Sequence, residues 1–338
     1  MASPVQKISV TGIKPTGEPH LGNYIGAIRP ALDLASEYQA MYFIADYHAL
    51  TTLRDPELLR HYTRSVAASW IAAGLDPERT LIYRQSDVPE TFELNWVMSC
   101  LTGKGLMNRA HAYKAARDRN EEAGRSDLDA GVNMGLFNYP LLMAVDILIM
   151  NAEVVPVGKD QVQHVEIAAD IAGSFNHVYG AGYRFTVPKP LIPDTDNART
   201  LPGVDGRKMS KSYDNTIPLF IPASKLKKLV RRIPTDSTPV EDPKNADDSS
   251  VFQILRQFAD EEVVEDTRTR LAAGGVGWGV LKDQLFEILD EQLAPMRERY
   301  EALVAPGSEL DDILAAGAEK ARARAGETLA AVRNAVGI

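Results

Sequence analysis

The stretch Ile8-Ser-Val-Thr-Gly-Ile-Lys-Pro-Thr-Gly-Glu-Pro-His-Leu-Gly-Asn-Tyr-Ile-Gly-Ala27 decides how the rest of the chain is read. Ile8 to Ile13 is a β-branched run of the kind that forms a buried strand. Lys14-Pro-Thr-Gly-Glu-Pro19 comes next, and its Pro and Gly residues exclude both helix and strand. After Gly22 the apolar residues Tyr24, Ile25, Ile28, Leu32 and Ala35 recur at helical spacing. A strand that turns through such a loop into a helix directs free backbone N–H groups at whatever occupies the loop, a geometry that suits a phosphate. No Gly-Lys-Ser/Thr opens the helix, so this is not the Walker arrangement. A His-Leu-Gly-Asn tetrad, His20 to Asn23, stands there instead.

The same alternation continues outward. Ala40 to Ala45 reads as a second buried strand and ends in Asp46-Tyr-His48, polar residues at the position where open α/β sheets bind ligands. Asp55-Pro-Glu starts a helix, with Asp as N-cap and Pro at the first helical position; the pattern runs to about Ala73 and stops at Gly74. Thr80 to Arg84 is a third strand, and Val88-Pro-Glu begins a helix reaching to about Leu101. Strands and helices in alternation predict an α/β fold built on a Rossmann-like, doubly wound parallel sheet.

The bulk numbers set the frame. A chain of 338 residues suggests about two domains with ample material for a core. With 45% hydrophobic and 25% charged residues the composition is that of a soluble globular protein. No apolar run approaches the ~20 residues that span a bilayer, and the N-terminus carries no hydrophobic region of the secretory type. The single Cys100 rules out an intrachain disulfide and fits a reducing compartment, so a cytoplasmic enzyme is expected. A net charge of −9 argues against a general nucleic-acid binder. Any RNA contact must then use local basic patches on an acidic body.

Residues 103–131 change character: Lys104, Arg109, Lys114, Arg117, Arg119 and Arg125 come among few apolar residues. This is either a solvated surface helix or a mobile basic segment over phosphates or RNA. Next, Tyr139-Pro-Leu-Leu-Met-Ala-Val-Asp-Ile-Leu-Ile-Met150 is apolar for about three helical turns with one carboxylate inside it. A charge in such a run is costly unless it is paired or faces a polar pocket. Tyr139, Met143 and Asp146 are spaced i, i+4, i+7 and share one face, so an aromatic, a thioether and an acid line one pocket. Glu153 to Val157 is a further strand. Gly158-Lys-Asp-Gln-Val-Gln-His164 opens a long helix with Asp160, Gln161 and His164 clustered at its start. One Cys and scattered His give no zinc-ligand spacing, and no Gly-x-Ser-x-Gly marks a serine nucleophile.

The second informative stretch is Gly206-Arg-Lys-Met-Ser-Lys-Ser212. Two lysines three residues apart with interleaved serines make a compact anion-binding loop. Such lysines can stabilise charge that grows on a leaving group more than they stabilise the ground state. His-Leu-Gly-Asn together with Lys-Met-Ser-Lys-Ser resembles the paired HIGH and KMSKS signatures of class I aminoacyl-tRNA synthetases. Nearly the whole chain resembles their tyrosyl/tryptophanyl subgroup.

The resemblance implies amino-acid activation with ATP, giving an aminoacyl-adenylate and pyrophosphate, and then transfer to the terminal ribose of tRNA. It implies ATP with Mg²⁺, the ion accompanying the nucleotide, and no zinc. By the same resemblance ATP would meet Lys14, Thr16, Gly17, His20, Gly22, Asn23, Asp160, Lys208, Met209, Ser210, Lys211 and Ser212. Of these His20, Lys208 and Lys211, with Lys114, would carry catalysis. Tyrosyl members place Gln and Asp on the specificity helix to hold a phenol; here Met143 stands at the Gln position. A thioether packs on an aromatic plane, and Asp146 can accept the single indole N–H, which points to tryptophan. Tyr139, Met143, Asp146, Val155 and Val157 would line the indole pocket, with His48 and Gln161 at the amino acid's polar end. A site built around a buried acid rejects analogues that leave it unpaired by ~10⁴-fold or more, so no editing domain is required. Lys14 stands where many bacterial relatives carry Gln, and Val10 where some carry Phe.

Beyond the loop, Ser224-Lys-Leu-Lys-Lys-Leu-Val-Arg-Arg232 is a basic helix with Leu226, Leu229 and Val230 as its buried stripe. Lys225, Lys227, Lys228, Arg231 and Arg232 face outward, toward either tRNA or solvent. Helical patterns continue from Ser249 to the end, interrupted near 274–277 and 306–307. The resemblance divides the chain into a catalytic domain, 1–214, a helical anticodon-binding domain, 215–290, and helices 291–338 that return to the catalytic body. It also implies a homodimer with tRNA(Trp) as partner and no membrane. Two rival readings remain: a tyrosyl enzyme, against which Met143 speaks, and a non-catalytic sensor, against which the intact lysine pair speaks.

Overall fold

The computed structural model describes residues 6–192 and 201–338. Five parallel strands form one sheet in the order β3-β2-β1-β4-β5, with β1 Ile8–Ile13, β2 Gln39–Ile44, β3 Leu81–Arg84, β4 Val154–Pro156 and β5 Lys189–Leu191. β1 and β2 pair along their whole length, Ile8 opposite Gln39 and Ile13 opposite Ile44. Successive residues of β2 point to opposite faces. Tyr42 and Ile44 enter one core with Trp70 and Ile71, while Met41 and Phe43 enter the other with Tyr83, Leu148 and Phe175. The winding order reverses between β1 and β4. The crevice beyond their C-terminal ends is where a doubly wound sheet holds its ligand.

Asp55 caps the Pro56–Ala72 helix by accepting from the Glu57 and Leu58 N–H groups, and Asn133 caps the Met134–Ile149 helix through the Leu136 N–H. The helix after β1 is not uniform. Tyr24–Ile28 is a π-helical turn between the α-helical segments Leu21–Asn23 and Arg29–Ala35. Pro30, just beyond it, has no N–H to give and its ring crowds the carbonyl one turn back, which accounts for the widened turn. The strand β5, only three residues long and containing Pro190, carries no sequence signal that would have announced it.

Helices occupy the rest of the chain: Ala223–Arg232, Ser250–Leu255, Glu261–Ala273, Trp278–Val304 and Leu310–Val336. Leu281, Leu285, Leu289 and Leu293 make the buried stripe of the fourth. The last packs its small-residue face on β3, with Ala318, Ala321, Ala325 and Leu329 in the second core. Gly317 permits that approach, since a Cβ there would lie 1.8 Å from the Ile82 carbonyl oxygen. Among the described residues no helix is long and apolar enough to cross a membrane.

The segment 103–131 forms two helices, Lys104–Met107 and His111–Glu122. It holds more of an apolar face than its composition suggests: Met107, Ala110, Tyr113 and Ala116 are buried. Tyr113 lies edge-on to Phe137 with ring centroids 4.9 Å apart, and Gln163 accepts from the His111 N–H and donates to the Arg109 carbonyl.

Candidate active site

The two signature stretches are stitched together by backbone hydrogen bonds. Leu21 N–H donates to the Ile217 carbonyl at 2.9 Å and Leu219 N–H to the Pro19 carbonyl at 3.0 Å. The segment after the lysine loop is thereby a short antiparallel partner of the tetrad. His20 caps the helix: its Nδ1 accepts from the Asn23 N–H at 3.3 Å, while Asn23 Oδ1 accepts from the His20 N–H at 3.2 Å. With Nδ1 an acceptor, the neutral ring carries its proton on Nε2, as a donor. Burial, and second the Lys211 charge, lower the His20 pKa to about 4, so the ring is neutral at pH 7.

Two glycines make the close approach possible. Gly17 has φ +136°, and a Cβ there would lie 2.9 Å from Lys211 Nζ; a side chain would be strained and would displace the lysine. At Gly22 a Cβ would meet the His20 ring at 3.0 Å and Met209 Sδ at 3.6 Å. Met209 is buried beneath the tetrad, so its side chain anchors the loop while the flanking Lys208 and Lys211 stay exposed. Desolvation pulls the Lys211 ammonium below its ordinary pKa, with Glu18 acting in the opposite sense. Lys14, also lowered by burial, donates to Thr51 Oγ1 at 2.9 Å, which ties the loop after β1 to the turn after β2. Thr16 lies in that loop, its N–H donating to the Lys14 carbonyl.

The lysine loop is built on a residue the sequence did not single out, Asn215. Buried at 1% exposure, it accepts from the Ser210 N–H at 2.8 Å and donates to the Lys208 carbonyl at 3.0 Å and Asp205 Oδ1 at 2.7 Å. Ser210 in turn accepts from the Ser212 N–H, capping the short turn Lys211–Tyr213.

Across the crevice, Asp146 is buried as its place in the apolar run foretold, and both its oxygens are partnered. His48 Nε2 lies 3.0 Å from Oδ2, and Gln85 Nε2 donates to both oxygens at 2.9 Å. Gln85 Oε1 accepts from the Tyr47 N–H, which fixes the amide orientation. Burial raises the Asp146 pKa, opposed by the hydrogen bond and charge of His48 and by Gln85. A carboxylate has about four acceptor sites, so one stays open to a further donor. The resemblance put His48 at the amino acid's polar end; the structure seats it on the acid. Gln85 was missed, although its position just past β3 was the available signal. Beside it, Asp46 accepts from Ser86 N–H and Oγ and from Tyr47 N–H, and burial raises its pKa.

Tyr139 and Met143 are half-buried on the same helix as Asp146. The Tyr139 hydroxyl lies 2.6 Å from His164 Nε2. Val155 is buried and Val157 half-buried at the end of β4, with Gln161 in the 3-10 turn Lys159–Gln161 that leads into the Val162–Tyr179 helix. Val10 is buried in the core that holds Phe43 and Tyr83. The Asp160 side chain lies outside the described residues. Lys114 is exposed on the His111–Glu122 helix and makes no hydrogen bond to His20, Lys208 or Lys211 among the described residues. On the basic helix, Lys227 and Arg231 pair with Asp283, whereas Lys225, Lys228 and Arg232 are exposed without an ion pair among the described residues. No group of three or more His, Cys, Asp or Glu side chains among the described residues could hold a metal.

Known proteins resemble this chain along nearly its whole length. Residues 6–294 match the family described as tRNA synthetases class I (W and Y). The tryptophan–tRNA ligase of Pseudomonas aeruginosa is 54% identical over 332 residues, 97% of this chain and 73% of that protein. The tryptophan–tRNA ligase of Neisseria meningitidis is 50% identical over 98% of both chains. The crystal structure of tryptophanyl-tRNA synthetase from Campylobacter jejuni complexed with ADP and tryptophan superposes with a TM-score of 0.87 at 40% identity, covering 98% of this chain and all of that one. The chain therefore belongs to the tryptophan and tyrosine branch of the class I aminoacyl-tRNA synthetases.

Proposed function

We propose that this chain works as a tryptophan–tRNA ligase through the residues of this crevice. It activates L-tryptophan with ATP and transfers the amino acid to the 3′-terminal ribose of its tRNA. The observation that carries the substrate is Asp146: a buried carboxylate, held by His48 and Gln85 with an acceptor site to spare, next to Met143. The indole N–H satisfies that site and the ring lies against the thioether, Tyr139, Val155 and Val157. Tyrosine leaves the acid facing a hydroxyl in the wrong place, and phenylalanine offers no donor.

In the first step a tryptophan carboxylate oxygen attacks the α-phosphorus. The bond to the β-phosphate bridging oxygen breaks, and pyrophosphate leaves with the electron pair. Lys208 and Lys211, with Lys114 reaching in from the basic segment, neutralise charge on the leaving group. His20 donates from Nε2 toward the phosphates, Lys14, Thr16, Gly17, Gly22 and Asn23 form the near wall, and Gln161 meets the amino acid's polar end. ATP enters as its Mg²⁺ complex, the ion being part of the substrate, and no zinc takes part. In the second step a ribose hydroxyl attacks the adenylate carbonyl and AMP leaves.

The catalytic domain is 1–214. Residues 215–290 bind the anticodon, and 291–338 return to the catalytic body. Lys225, Lys228 and Arg232 meet the tRNA backbone. The protein works in the cytoplasm, where charged tRNA is used, and as a homodimer. Tyr47 and Phe92, edge-on at 4.6 Å, with Trp96 at 72% exposure form an apolar face that a second copy covers. Aminoacylation of a tryptophan-tRNA transcript tests the reading. Charging with tryptophan supports it; adenylate formation without charging overturns the transfer step.

A further inference from the structure

One carboxylate, Glu18, lies in the loop after β1 and is not used in the proposed activation. Glu18 stands two residues before His20, immediately after Gly17, over which the Lys211 ammonium lies. Its charge acts on Lys211, yet the two form no ion pair among the described residues. Its oxygens are instead engaged from behind. His61 Nε2 donates to Oε1 at 2.6 Å, and Ser65 Oγ donates to Oε2 at 2.6 Å. His61 and Ser65 are one turn apart on the Pro56–Ala72 helix and present their donors side by side.

A third group locks the arrangement. Tyr300, on the Trp278–Val304 helix, donates to Ser65 Oγ at 2.9 Å and lies 3.4 Å from Glu18 Oε2. Its ring stacks on Phe220 at 4.2 Å and 5°. Phe220 comes directly after the residues whose backbone pairs with Pro19 and Leu21. The same tyrosine thus touches the support of the ATP loop and the segment leaving the lysine loop. Toward the other end of its helix, Asp283 holds Lys227 and Arg231 of the basic helix.

We infer that His61 and Ser65, locked by Tyr300, are positioning residues that hold the Glu18 carboxylate away from Lys211, so that the lysine stays available to the phosphates of ATP. The inference rests on the proposed activation of tryptophan at this site. A released Glu18 is a carboxylate whose charge already reaches Lys211, an ammonium without an ion pair among the described residues, and Coulomb attraction would join them. ATP would then have to displace an internal competitor before its own phosphates could be bound.

The test is steady-state ATP–pyrophosphate exchange on the full-length protein, with His61→Ala/Ser65→Ala and the same pair combined with Glu18→Gln. The double variant should raise the KM for ATP about three- to fivefold, the scale of one partly exposed ion pair, with the KM for tryptophan unchanged. The increment should shrink at high ionic strength. Adding Glu18→Gln should return the KM for ATP to near the wild-type value. A defect that Glu18→Gln leaves in place or deepens means the three residues only stiffen the loop, and the inference fails. An unchanged KM in the double variant also overturns it. Absence of exchange in the wild type would instead remove the proposed activation itself.

Discussion

The two ends of the crevice are built on opposite plans. At the proposed tryptophan end, Asp146 sits inside a packed helix with both oxygens engaged by His48 and Gln85, and Gln85 is itself held by the Tyr47 backbone. At the proposed phosphate end, Lys208 and Lys211 stand exposed on a loop, without ion pairs among the described residues, and Lys211 lies over backbone that Gly17 leaves bare. A specificity site desolvates its polar group in advance, during folding, so that a ligand lacking the right donor leaves that group unsatisfied. A leaving-group site works the other way: its charges gain most when they meet charge that appears only in the transition state.

Breaking the exposed end should cost the most. Lys211→Ala should lower kcat for exchange by about 10²–10³, the scale of a single lost transition-state contact, with the KM for tryptophan almost unmoved. A comparable rise in that KM would show that the two ends are not separate. At the buried end, Asp146→Asn should cut kcat/KM for tryptophan by at least about tenfold; wild-type kinetics in this variant would remove the pocket assignment. Gln85→Leu tests whether that pocket needs its support. It should raise the KM for tryptophan about fivefold and leave the KM for ATP alone, since the carboxylate loses the amide that donates to both its oxygens but keeps His48, a net loss of about 1 kcal/mol.

The smallest effect separates the two ends by pH. His20 titrates at about 4 in the folded chain against an ordinary 6.5. A base with a depressed folded pKa contributes stability that is present above pH 6.5 and lost as the pH falls through about 4. The loss is at most about 3 kcal/mol. His20→Asn, which can still cap the helix, should show a shallower fall in Tm across that window. Equal slopes in the two proteins would mean that His20 is not held neutral by its surroundings.

The sheet was legible because its strands are short apolar runs among polar residues, and β1 to β4 lie within a residue or two of their sequence positions. Asp146 was legible for a different reason: a carboxylate inside an apolar helix has to be explained. Gln85 and Asn215 were not, because an isolated amide in a loop looks like any polar surface residue. Only the folded chain brings Gln85 to a partner 61 residues away. The π-helical turn escaped as well, since Tyr24, Ile25 and Ile28 satisfy an α-helical pattern equally well. Its cause, Pro30, was in view, but Pro at a helix start is also ordinary.

The proposed tryptophan-activating site joins one buried acid to one exposed lysine loop. The most direct measurement is amino-acid-dependent ATP–pyrophosphate exchange on the purified protein, with tryptophan and tyrosine side by side. Exchange with tryptophan and none with tyrosine is the predicted result. Exchange driven by tyrosine would contradict the pocket built on Met143 and Asp146, and no exchange with either would contradict the account of the lysine loop.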